Sequence, residues 1–240
     1  GDVASGVALR LHRSGLKVVM TDLERPTAIR RTVCFSQAIL FGETKVEDVT
    51  AVRAETMDDV RRILAAGDIP VLADPAADCR HGLRPDVLVD AILADCHAVI
   101  ETMRGHTLGR VIRSGPAIPN TNIPGLIGGF AGERVLRAPD DGVFHQLHEI
   151  GDLVEAGETV GEVNGKPMAC TISGVLRGIL ADGTPVFKGM KSGDVDPRAQ
   201  VENCYSASDK AIAIGGGVLQ AILEYTGVLR GVAGRNALEV

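Results

Sequence analysis

A repeat concealed in the C-terminal half limits what this chain can fold into more than any other feature. Glycine and valine return at a fixed offset of 32 residues: Gly142 with Gly174, Val143 with Val175, Gly151 with Gly183, Val154 with Val186, Gly157 with Gly189, Gly161 with Gly193, and Val163 with Val195. Seven coincidences at one register are hard to assign to chance. Glycine at regular intervals marks tight turns, which need positive φ, and the valines between them mark short strands. Two such segments in tandem predict two β units interlocked about a pseudo-twofold axis.

The first ninety residues read differently. Val3, Val7, Ala8 and Leu11 sit at helical spacing, and Gly15 closes that helix. Leu16 to Met20 reads as a short buried strand, Thr27 to Phe41 as a helix, and Val49 to Ala54 as a weak strand. Met57 to Ala66 reads as a helix ended by Gly67, Ile69 to Ala73 as a strand, and Pro85 to Ile92 as another. Helices alternating with strands predict an α/β fold with a Rossmann-like, mainly parallel sheet.

The opening turn carries the candidate chemistry. Gly1-Asp2-Val3-Ala4 runs straight into the first helix, and Gly1 and Ala4 fit the last two small positions of the dinucleotide fingerprint. Asp22 follows at the end of the next strand, where that fingerprint places an acid for ribose hydroxyls. Free N–H groups and a positive dipole end would receive a phosphate there. Arg30 and Arg31, with Arg25, would offset the charge of Asp2. The alternative is a tight βα turn without a ligand and solvated arginines. The motif is entered midway, so the natural N-terminus and a preceding strand are expected upstream.

A missing segment is predicted near residues 94–96, where a further strand and loop are due before Cys96. Beyond it, His106 stands beside Thr102, Arg104, Gly105 and Gly109. It reads either as a reactive base, a metal ligand or a phosphate donor, or as a solvated histidine in a capped turn. His97 and Glu101 share a face only if their segment is helical. Ser114 to Gly132 is a loop rich in Gly, Pro and Asn. Gly215-Gly216-Gly217 interrupts a helix predicted over Ala211 to Glu224, at a cost that signals close packing or a ligand contact.

Bulk properties exclude several classes. Aromatic residues make up 3% and the net charge is −6, which disfavours nucleic-acid binding by stacking or by a basic field. No apolar run reaches bilayer-spanning length. Five cysteines without C-x-x-C spacing suit a reducing cytoplasm and predict no metal site.

Two resemblances add to this. Gly151 to Val163 resembles the signature of biotinyl/lipoyl-type domains, which implies a barrel-sandwich hybrid. Lys166 occupies the hairpin of the carrier lysine, but Pro167 follows it and the flanking carrier pattern is absent, so a structural or docking role fits better. Over nearly the whole chain, Gly1 to Ala8, Arg25 to Val33, Pro85 to Ala91, His97 to His106, Gly193 to Arg198 and Ser208-Asp209-Lys210 with the triple glycine resemble the selenium-dependent molybdenum hydroxylase system proteins of YqeB type.

That resemblance implies an accessory factor in maturing a molybdenum hydroxylase, with no established catalytic residues to carry over. The division expected is a Rossmann-like nucleotide-binding unit (1–113), a connecting loop (114–133), a barrel-sandwich hybrid (134–198) and a C-terminal helical segment (199–240). The cofactor-binding candidates are Gly1, Asp2, Val3, Ala4, Asp22, Arg30 and Arg31, and the catalytic candidate is His106. The expected ligand is a nucleotide-type molecule, such as NAD or a molybdopterin dinucleotide. The expected partner is the hydroxylase or its maturation machinery, without nucleic acid or membrane, and a homo-oligomer is compatible. An NAD(P)-dependent oxidoreductase is the alternative.

Overall fold

The computed structural model describes residues 1–90, 96–119 and 124–227. The chain opens with helix α1 (Asp2–Arg13), which buries Val7, Ala8, Leu9 and Leu11. Strand β1 (Met20–Asp22) is shorter than its apolar run, because only these residues find a ladder partner. Val18 and Val19 pack into the core without pairing. A short helix α2 (Gln37–Phe41) leads to a hairpin of β2 (Glu43–Val46) and β3 (Val49–Arg53). Helix α3 (Met57–Ala66) begins with a reciprocal Thr56–Asp59 capping box and ends at Gly67 in the left-handed region (φ 89°). Strand β4 (Ile69–Ala73) and a single helical turn, α4 (Arg80–Leu83), follow.

These strands form one sheet in the order β1-β4-β3-β2. β4 runs parallel to both β1 and β3, whereas β2 and β3 are antiparallel. β5 (Val99–Ile100) and β6 (Val111–Ile112) form a separate antiparallel pair.

The C-terminal half contributes two more four-stranded sheets. β7 (Val135–Arg137), β8 (Gly142–Gln146), β9 (Leu153–Val154), β10 (Thr159–Val163), β11 (Lys166–Ala169), β12 (Gly174–Ile179), β13 (Thr184–Val186) and β14 (Lys191–Asp196) assemble in the orders β11-β10-β8-β13 and β7-β14-β12-β9. Every pairing in them is antiparallel.

The repeat explains this exchange. Gly142 pairs with Val186 and Gly174 with Val154, while Val143 pairs with Pro185 and Val175 with Leu153. Each half therefore lends one strand to the other half's sheet, and the two share a core around Phe144, Val163, Leu176, Ile179 and Val195. Gly161 is fixed by this packing, since a Cβ there would lie 2.6 Å from Phe144 Cε2.

The fold class expected from the sequence, a Rossmann-like mainly parallel sheet with a small barrel-sandwich hybrid and a C-terminal helix, is overturned by the strand pairing. The sheets are mixed or antiparallel, and antiparallel pairings predominate. Two local causes stand out. Glu43 to Val46 is too polar to look like a strand, yet it pairs with β3 across a turn where Glu47 takes φ 55°. Residues 85–90 form no strand, and Val87, Leu88 and Val89 are exposed. The missing segment predicted near residues 94–96 falls on Ala94 and Asp95, which lie outside the described residues.

The helix expected over Thr27 to Phe41 is broken for a clear reason. The Ile29 carbonyl accepts from the Ile179 amide at 2.8 Å, and the Phe35 amide donates to Ser5 Oγ at 2.9 Å. Backbone groups bonded across the fold are unavailable to a helix. Only a 3₁₀ turn (Arg31–Val33) and α2 remain.

Helix α5 (Asp209–Tyr225) closes the described chain, with Ser208 Oγ capping the Ala211 amide. Its glycines allow close approach. A Cβ on Gly215 would lie 2.9 Å from Arg10 Cβ in α1, and one on Gly217 would lie 2.9 Å from Ile100 and overlap the Gly109 carbonyl. Gly6 of α1 would likewise overlap Ala211. Of the two readings of the triple glycine, these contacts favour packing. Among the described residues, no helix is long and apolar enough to cross a membrane.

Candidate functional site: an arginine-lined cavity

Three parts of the chain meet at the N-terminus of α5: the segment after β1, the strands β12 and β14, and the turn that carries Arg104. Between them lies a cavity of about 220 Å³ lined by Arg30, Arg104, Arg177 and Arg198, with Asn203, Ser206, Ser208 and Asp209. Four arginines thus line one space, and among the described residues Asp209 is the one acidic residue in that lining.

Arg177 and Arg198 belong to a chain of ion pairs built on the buried carboxylates Asp194 and Asp196. Arg134 Nη2 donates to Asp194 Oδ1 at 3.0 Å, with both side chains almost fully buried. Arg177 donates to Asp194 Oδ2 at 2.5 Å and to Asp196 Oδ2 at 3.3 Å. Arg198 donates to Asp196 through Nη2 at 2.6 Å and Nε at 3.0 Å. Burial works against the Asp196 carboxylate, but hydrogen bonds from Arg198 and the charge of Arg177 outweigh it and hold its pKa below the ordinary value. Burial lowers the pKa of Arg134. Asp194 and Asp196 are two residues apart in one strand and share a face, which brings both to Arg177 in the neighbouring strand.

Arg30 forms one wall. Its side chain is 8% exposed; it donates to Asp2 Oδ2 at 3.1 Å and to the carbonyls of Asn203 (3.0 Å) and Ser206 (3.3 Å). Its Nε is buried without a hydrogen-bond partner among the described residues, as is that of Arg134. Arg104 forms the rim, donating to both Asp209 oxygens, at 2.6 Å and 2.8 Å. This bidentate contact, led by its hydrogen bonds, holds the Asp209 carboxyl at about 2. The Arg104 turn is itself anchored by buried Glu101, which accepts from the amides of Ile118 (2.9 Å) and Met103 (2.7 Å). Those two amide bonds, Ile118's first, hold the Glu101 carboxyl below its ordinary value.

Of the cofactor-binding residues expected from the sequence, only Arg30 lines this cavity. Gly1, Asp2, Val3 and Ala4 form the start of α1, and the Gly1 nitrogen lies 3.6 Å from Asp22 Oδ2. Asp2 reaches the site only through Arg30. Asp22 also accepts from the Leu23 amide at 2.8 Å. Arg31 turns to the β unit, donating to the Ile179 carbonyl and Gln146 Oε1, both at 2.9 Å, and burial lowers its pKa.

His106 is exposed and lines a second, open cavity of about 520 Å³ with Arg110, Arg113 and Gln220. The His97–Glu101 pairing required a helix, and Val99–Ile100 is a strand. Lys166 pairs with Asp140 at 2.8 Å, one residue beyond the Asn164-Gly165 turn. Arg177, Arg198 and Asp209 were missed as site residues, and Arg104 was noted only as a polar neighbour of His106. Among the described residues, no group of three or more His, Cys, Asp or Glu side chains is placed to hold a metal ion.

No family model matches the chain. It is 44% identical to the uncharacterized protein YqeB of Escherichia coli (strain K12) over 248 residues, covering 93% of this chain and 46% of that protein. The chain therefore spans about half the length of this relative. Among solved structures, an aspartoacylase family protein from Mesorhizobium loti matches at a TM-score of 0.25, 19% identity, covering 28% of this chain and 24% of that one. A succinylglutamate desuccinylase/aspartoacylase from Rhodobacter sphaeroides matches at 0.23, with 25% identity over 27% of this chain and 22% of that one. The ectoine utilization protein EutE (DoeB) from Ruegeria pomeroyi matches at 0.25, with 11% identity over 74% of this chain and 52% of that one. Likeness at this level transfers nothing from those proteins to the arginine cavity. Along 93% of its own length, the chain is thus similar to one part of the uncharacterized protein YqeB.

Proposed function

We propose that this chain is a ligand-binding accessory protein whose arginine cavity holds the phosphate end of an anionic small molecule. The observation that carries the proposal is the convergence of Arg30, Arg104, Arg177 and Arg198 on one space. Guanidinium forks match phosphate oxygens in shape and charge and do so bidentately. A volume near 220 Å³ falls below that of whole-ligand pockets, so the cavity suits a phosphate or diphosphate group while the rest of the ligand extends outside.

The resemblance to the selenium-dependent molybdenum hydroxylase system supplies the biological reading. The chain would serve maturation of such a hydroxylase, and a molybdopterin dinucleotide is a ligand whose diphosphate fits the cavity's chemistry. Native mass spectrometry of protein purified from its own host tests this. A phosphate-bearing small molecule retained by the wild type and lost from Arg198→Gln supports the reading. Wild-type protein that carries no such molecule and fails to take up added pyrophosphate contradicts it.

A further inference from the structure

We infer that Asp209 is the selectivity element of this cavity: it occupies Arg104 as an internal stand-in for the ligand, and what displaces it is a doubly charged, phosphate-type oxoanion. This rests on the reading of the cavity as an anion site.

The four arginines are not equally committed. Arg30 and Arg177 are 8% and 12% exposed and are tied to carbonyls or to buried acids. Arg198 is itself 43% exposed, but its partner Asp196 is fully buried. Arg104 is bound to Asp209, whose side chain is 70% exposed at the first turn of α5. Releasing Asp209 moves a carboxylate into water, where it is solvated at little cost, whereas releasing Asp194 or Asp196 would strand a buried charge. Arg104 is therefore the member free to change partners.

Its contact with Asp209 has the two-pronged geometry that a phosphate also offers. Charge then selects the ligand. The network described above holds five guanidiniums against four carboxylates. With Asp209 swung out, five face three. A singly charged carboxylate replaces Asp209 without net gain. A doubly charged phosphate group neutralises the surplus of two.

Calorimetric titration of the intact chain with inorganic pyrophosphate and with acetate tests this. Wild type binds pyrophosphate at least roughly tenfold more tightly than acetate, and Asp209→Asn tightens pyrophosphate binding about tenfold by freeing Arg104. Arg104→Gln added to Asp209→Asn abolishes that gain. Circular dichroism confirms that the variants fold, and Asp209→Ser serves as a second neutral replacement compatible with a helix start.

Pyrophosphate binding to wild type that is unchanged or weakened in both neutral variants overturns the inference while leaving the anion site intact. Acetate binding as tight as pyrophosphate also overturns it. Failure of wild type and both variants to bind pyrophosphate overturns the anion site as well.

Discussion

Arg30 joins two parts of the molecule through one side chain, with a carboxylate from α1 on one side and two carbonyls near residue 204 on the other. Asp194 is its counterpart in the β unit, where it is buried between Arg134 and Arg177. Asp194→Asn leaves two buried guanidiniums short of charge and should cost about 3–5 kcal/mol, read from urea denaturation. A loss below about 1 kcal/mol would show that the network is loosely held.

The cysteines offer a separate test at this scale. Burial pushes the Cys34 thiol up to about 12, and Cys204 is also buried, whereas Cys96 is exposed. A maleimide should label Cys96 in the native protein and reach Cys34 and Cys204 only on unfolding. Labelling of Cys34 in the native state would contradict its placement.

Among the elements, α5 connects core and cavity, because it packs on α1 and presents Asp209 to the cavity. Its glycines are not equivalent. A Cβ on Gly217 would overlap the Gly109 carbonyl, but one on Gly216 would meet only the end of Arg10, 4.0 Å away. Gly217→Ala should destabilise by about 1–3 kcal/mol through overpacking. Gly216→Ala should be neutral or stabilising by up to about 1 kcal/mol through helix propensity. Equal thermal shifts for the two would rule out the packing explanation.

Elements with strong local signals were legible in the sequence. α3 matches its predicted span because Thr56, Asp59 and Gly67 mark both ends. β4 and the start of α5 were legible for similar reasons, and the glycine offset marked two interlocked β units, whose strands β9 and β13 cross between the sheets. What failed was pairing, which is a long-range property. The apolar run before Met20 looks like a strand but finds no partner over most of its length, and polar Glu43 to Val46 finds one. Of the site, Arg30 was legible as a cation that would offset the charge of Asp2, to which it donates. Arg177, Arg198 and Asp209 come from distant parts of the chain, and no local pattern ties them together. The one signal was Asp194 and Asp196 at strand period, since two acids on one buried face require cations opposite.

Across the whole molecule, the charges around the cavity tie Arg30 to α1 and to the Asn203 and Ser206 carbonyls, link Arg134, Arg177 and Arg198 through Asp194 and Asp196, and fasten Arg104 to α5. The Asp209 carboxyl has a folded pKa near 2, led by the Arg104 hydrogen bonds, against an ordinary value of 3.8. A depressed carboxyl stabilises the fold above its ordinary pKa and loses that contribution as pH falls toward the folded value. Thermal stability should therefore decline between pH 3.8 and about 2, and Asp209→Asn should make the decline shallower. An identical acid limb in the variant would remove Asp209 from the stabilising network.

On the proposed reading, an anion binds where Arg30, Arg104, Arg177 and Arg198 come together. The most direct measurement is anomalous diffraction from crystals of the chain grown with tungstate. A tungsten peak is expected within hydrogen-bonding reach of Arg30, Arg104, Arg177 and Arg198, with Asp209 turned away from Arg104. Tungstate bound elsewhere, for instance beside Arg110 and Arg113 near His106, with the arginine cavity unoccupied and the Arg104–Asp209 pair intact, would contradict it.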